Sequence, residues 1–169
     1  MSDQTNTVTT DRELFIKMVL SNWDLQISRM NSVLGKLSDE ELSAQTAPGR
    51  NTGVYLLGHL AAVSDGLFTF LGLGDRLDPA MDELFLRNPE NSGLEKPSGD
   101  AIKEYWNKVN ATLAEKMSQI TPDEWFNRHT AVSEEDFAKE PHRNKLNIII
   151  NRTNHLSYHL GQLAYLIKK

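Results

Sequence analysis

Between Asp11 and Leu37 the apolar residues Ile16, Leu20, Trp23, Ile27, Met30, Leu34 and Leu37 recur in unbroken steps of four and three. That spacing predicts one helix packed by a single stripe against a bundle. The stretch after Asn51, "TGVYLLGHLAAVSDGLFTFLG", is apolar almost all the way round and leaves Gly58, Asp65 and Thr69 in one narrow polar arc. The helix it predicts is therefore buried on more than one side. Ser98 suits the N-cap of a third helix, from about Gly99 to Ile120, striped through Ile102, Trp106, Val109, Leu113, Met117 and Ile120. A fourth, from about Asn144 to Ile167, runs along Leu146, Ile149, Thr153, Leu156, Leu160, Leu163 and Ile167.

The two halves echo each other. "KLSDEELS" follows the first helix and "QITPDEWF" the third, and each places a Ser or Thr three residues before a Glu (Ser38 to Glu41, Thr121 to Glu124). Both are capping boxes, and Pro122 at the first helical position strengthens the second. The connection from about Gly72 to Pro97, rich in Gly, Pro, Asp and Asn, is too long for a tight hairpin and points to a crossover. The pattern predicts an all-α, up-down-down-up four-helix bundle in which two helix pairs are related by an approximate two-fold. With 169 residues the chain suits one domain, from residue 11 to 169, preceded by a polar, frayed tail at 1–10.

Composition narrows the function. The net charge of -5 and the lack of a basic stripe argue against a nucleic-acid partner. The start, "MSDQTNTVTT", has neither the basic nor the apolar part of a secretory signal, and the apolar runs "VYLLGHLAAV" and "LNIII" fall short of the roughly 20 residues of a membrane-spanning helix. The expectation is a cytoplasmic protein with a small-molecule substrate. Cysteine is absent, so no thiolate ligand or cysteine nucleophile comes from this chain, and a thiol in the reaction has to arrive with a substrate or cofactor.

His155 and His159, in "NHLSYHLGQLAYLIKK", lie one turn apart on one helix face, their Cβ atoms about 5–6 Å from each other. They fall at the edge of the apolar stripe, walled by core and open to a ligand. Taken alone, such a pair reads first as two partly buried core histidines and second as metal ligands. His59 shifts the balance, because it sits on a buried arc of the second helix and, in the two-fold bundle, occupies the place that the pair occupies in the other half. Three neutral imidazoles converging between the second and fourth helices match a zinc-type site with an open fourth position. His129 and His142, in the loop-rich "FNRHTAVSEEDFAKEPHR", read as solvated surface residues and are left out. Arg152 reads first as a salt-bridge partner and second as a contact for an anionic substrate. Gln162 reads first as solvent-exposed and second as a partner for a ligand or an imidazole.

"PGRNTGVYLLGHLAAV" followed far downstream by "NHLSYHLGQLAYL" resembles the DinB/YfiT-like family, through the histidine of "LLGHLAAV" and the H-x3-H-x-G-Q-L run. The resemblance implies an up-down-down-up bundle holding a divalent metal, Zn or Ni, on His59, His155 and His159, and a homodimer. It also implies a choice of activities: transferases and isomerases in which the metal activates a low-molecular-weight thiol, or hydrolases using metal-bound water. A non-catalytic, stress-linked binding module is the alternative from another class. A second copy is expected to dock on Phe68 and Leu71 of the second helix or on the crossover, where Leu84, Phe85 and Leu86 otherwise serve as cover.

Overall fold

The computed structural model describes residues 9–168 and is helical throughout, without a named strand among them. The first eight residues of the expected tail lie outside the described residues. Thr10, assigned to that tail, is instead the N-cap of α1 (Asp11–Leu34): its hydroxyl accepts from Glu13 N at 3.2 Å while the Glu13 carboxylate accepts from Thr10 N at 2.8 Å. Ile16, Trp23 and Met30 of the predicted stripe are buried, and Leu20, Ile27 and Leu34 pack against them. The helix stops at Gly35, and the turn that follows folds Leu37 back into the core.

The Ser38–Glu41 box opens α2 (Asp39–Leu42) as expected. The Thr121–Glu124 box also forms, but it supports only a 3-10 turn (Glu124–Phe126) that drives Trp125 into the core. Both segments are short because each buries a single large side chain and has no further apolar stripe to extend. Thr52 caps α3 (Gly53–Leu71), which ends where Gly72 takes a φ of 71°, a left-handed conformation that costs glycine nothing. α4 (Gly99–Met117) starts at Ser98, whose hydroxyl accepts from Ala101 N at 3.2 Å. After the short α5 (Glu134–Lys139) comes α6 (Lys145–Ala164), capped by Asn144.

The most extensive helix contacts are α1 with α6 and α3 with α4, and α3 also packs on α6. These are contacts that a two-fold exchanging the halves would interchange. α3 lies between α4 and α6, which is why it is apolar nearly all round. Its 19 residues, with a mean hydropathy of 1.5, are long and apolar enough to cross a membrane, contrary to the length argument from the sequence. Here 72% of that hydropathy window is buried inside the fold.

Two expectations about α3 are corrected. Phe68 and Leu71, the face on which a second copy was to dock, are 0% exposed, already covered within the fold. The exposed large apolar side chains lie mainly elsewhere, with Leu14, Phe15, Met18 and Leu25 all on α1. The polar arc, too, faces inward for most of its length. Asp65 is fully buried, and its carboxylate accepts from Leu77 N (2.8 Å), Asp78 N (3.1 Å) and the Tyr105 hydroxyl (2.8 Å). One side chain thus ties α3 to the crossover and to α4. The crossover itself contains a π-helical turn (Glu83–Arg87) that buries Phe85.

Candidate metal centre

α3 contributes His59 and α6 contributes His155 and His159; the α3–α6 packing brings all three rings together, each half-buried. Nε2 of His155 lies 3.2 Å from Nε2 of His59 and 3.0 Å from Nε2 of His159, and the rings meet edge to face with centroids 4.7–5.2 Å apart. Among the described residues no carboxylate or further imidazole joins this group of potential ligand atoms, which lie within 4.8 Å of one another.

What stands behind the rings decides their chemistry. His59 Nδ1 is 3.0 Å from the Phe85 carbonyl, which can only accept, so the ring proton sits on Nδ1 and Nε2 presents its lone pair. His159 Nδ1 is 2.6 Å from Gln162 Oε1 and is held in the same tautomer. His155 then faces two lone pairs with one Nε2, so a single ring proton serves only one of the two short contacts well. Placing that proton there leaves Nδ1 of His155, which is buried and has no partner, as an unmet acceptor. An extra proton is opposed by the surroundings. Burial first, then His159, His59 and Arg152, push the His155 pKa down to about 4, and burial also lowers that of His159.

A divalent cation resolves the conflict. At Zn–N bonds of about 2.05 Å, a tetrahedral ion sets its nitrogens about 3.3 Å apart, close to the spacings present. Neutral imidazoles suit Zn or Ni, and rings oriented from behind by a carbonyl and an amide are the usual support for metal-binding histidines. The residues present fit the ion that the sequence leads one to expect.

Phe85 and Gly58 are functional residues that the sequence reading missed. A Cβ on Gly58 would stand 2.4 Å from the Phe85 ring, so only glycine lets that ring seat against α3 and bring its carbonyl to His59. Tyr55 secures the same turn, its ring centroid 5.6 Å from that of Phe85 and its hydroxyl donating to Asn88 O at 2.6 Å. The available signal was a glycine directly beside a histidine inside a largely apolar helix. Gln162, read first as solvent-exposed, is the partner of His159, its second reading. Arg152 forms no ion pair among the described residues, against its first reading. His129 is half-buried with a buried, partnerless Nδ1, whereas His142 is exposed as expected. A cleft of about 330 Å³ between α1 and the end of α4, lined by Ile16, Leu20 and Met117, contains none of the three histidines.

The lowered pKa values carry a stability consequence for the metal-free protein. Unfolded histidine titrates near 6.5 and His155 in the fold near 4, so between those values the unfolded chain binds more protons. Stability therefore rises with pH across that window and is lost as pH falls. In chelator, the thermal midpoint is expected to drop between about pH 7 and pH 5.5, above the carboxylate range. The drop should be smaller in His155→Ala; an equal drop there would remove His155 as its cause.

A helical fold built round three inward-facing imidazoles defines a class: an all-α protein with a candidate three-histidine metal site. The chain belongs to the DinB superfamily, whose family model matches residues 22–163. No curated protein is similar enough to this chain to register as a match.

Proposed function

We propose that this protein is a divalent-metal enzyme that activates a low-molecular-weight thiol for transfer of its sulfur to a small electrophile. The observation that carries the reading is the convergence of three imidazoles with the two outer tautomers set from behind, so that lone pairs point at one place. His59, His155 and His159 would hold the ion, Zn²⁺ or Ni²⁺. Bound there, it would lower the pKa of a thiol or water enough to make a nucleophile at neutral pH.

The chain's own residues do the positioning. The Phe85 carbonyl and Gln162 keep the ring protons of His59 and His159 on the far side of the rings. The exposed Tyr158, its ring centroid 5.1 Å from that of His159, stands at the rim. Among the described residues no carboxylate joins the trio to act as general base, which disfavours attack by water more than attack by a thiol that has already lost its proton. Without cysteine in the chain, that thiol comes from outside.

Titrating the Co²⁺-substituted protein with 2-mercaptoethanol or glutathione is expected to produce a sulfur-to-cobalt charge-transfer band that metal-free protein lacks. If neither thiol perturbs the cobalt spectrum while simple esters or amides are hydrolysed, a water-activating hydrolase takes its place. If neither happens, a binding module does.

A further inference from the structure

We propose that Arg152 and His129 form an anion subsite beside the histidine trio, fitted to the carboxylate of a small organic acid. The inference rests on the trio being the reacting centre, and it names the substrate class.

Arg152 stands on α6 one turn before His155. Helical side chains lean towards the N-terminus, so its guanidinium reaches away from the trio to the end of α3, where its Cζ is 5.8 Å from the Phe70 ring centroid. Its Nε is shut off from solvent, yet no hydrogen-bond acceptor and no carboxylate meets it among the described residues. The loop after the 3-10 turn brings in His129, anchored by its neighbour: Thr130 N donates to Phe70 O at 3.1 Å and the Thr130 hydroxyl to Thr69 O at 3.0 Å. His129 Nδ1 is likewise buried and without a partner. Arg152 is close enough to His129 to bear on its titration.

Arg128 and Arg143 also bear on His129, but each has a nearby counter-charge, Glu134 at 3.8 Å and Glu140 at 3.1 Å. Arg152 has none. A cationic side chain whose buried Nε goes unmet, beside a second unmet polar atom, is costly unless something supplies acceptors. A carboxylate does so in the geometry of the guanidinium fork, with the Phe70 ring as an apolar floor. Because Arg152 leans away from His155, the carboxylate would sit more than one helical turn, about 5 Å, from the trio. The substrate would then carry its acid group several bonds from the reacting atom.

The test uses the full chain with and without metal, titrated with acetate and propionate at ionic strength matched by chloride, and reads the Arg152 Nε–Hε and His129 ring signals by NMR. Saturable shifts of both are expected, with or without metal. They should persist in His155→Ala, weaken about tenfold in Arg152→Lys, which keeps the charge and loses the fork, and vanish from the His129 signal in Arg152→Gln. Absence of saturation, equal His129 shifts in Arg152→Gln, or a response to inorganic phosphate and not to acetate would overturn the proposal. Carboxylate binding in a protein that takes up no metal would leave the subsite standing and remove the metal reading; metal uptake without carboxylate binding would do the reverse.

Discussion

His59→Ala and His155→Ala, prepared separately and without a histidine tag, are each expected to come through metal loading and dialysis with no stoichiometric metal, while far-UV helicity stays close to that of the parent. Each change removes one of three ligand nitrogens, and His155 is the one within hydrogen-bonding distance of both others. Loss of a supporting group behind a ligand typically weakens a metal site about 10–100-fold, and loss of a ligand should exceed that. Gln162→Ala, which frees the His159 ring without removing a nitrogen, should fall inside the smaller range. The bundle survives because its seams are complete without the trio: Leu56, Leu60, Leu156 and Leu163 are at most 4% exposed and flank the histidines on both helices. Metal analysis of the dialysed variants decides the matter, and full occupancy in either alanine variant would overturn the three-ligand assignment.

Asp65→Ala is expected to be among the most damaging single changes to the fold, lowering stability by about 3–5 kcal/mol, as removal of one partner from a buried charged network does. The carboxylate is fully buried and meets three donors, two of them backbone N–H groups of the crossover that have no other partner among the described residues once it is gone. Burial and Asp65 together hold the Tyr105 hydroxyl protonated by raising its pKa, so the phenol remains a donor at any working pH. Tyr105→Phe removes only one of the three bonds and should cost about 1–2 kcal/mol. Chemical denaturation of the two variants measures both effects. An Asp65→Ala protein as stable as Tyr105→Phe would mean that water replaces the carboxylate and that the crossover is held by its apolar contacts alone.

Much of the architecture was legible from periodicity. Residues such as Trp23, Met30, Val109, Leu113, Ile149 and Leu163 are buried where the steps of three and four put them, because a regular helix converts spacing into a face. Helix ends were read a few residues too long at Leu37, Ile120 and Ile167, where the apolar residue continues the pattern but reaches the core from a turn. The capping boxes formed as read, but a cap starts a helix and does not set its length. The histidine trio was legible for a related reason: His155 and His159 share a face by spacing alone, and the repeat put His59 opposite them.

The sequence by itself therefore determined which residues line the seams, where the long helices start, and which three imidazoles meet, since each follows from local geometry and the pairing of two similar halves. Tertiary structure alone decided what surrounds them. Asp65 looked like part of a polar arc and is a buried anchor, because the crossover and Tyr105, which are 12 and 40 residues away along the chain, supply its donors. The tautomer of His59 depends on a carbonyl 26 residues downstream, and that carbonyl reaches it only because Gly58 leaves room for Phe85. Arg152 looked like a helix-edge salt-bridge partner until the fold closed over its Nε and brought no carboxylate to it among the described residues. Protonation, orientation and unmet hydrogen bonds are properties of what a side chain faces across space, and helical periodicity carries no record of them.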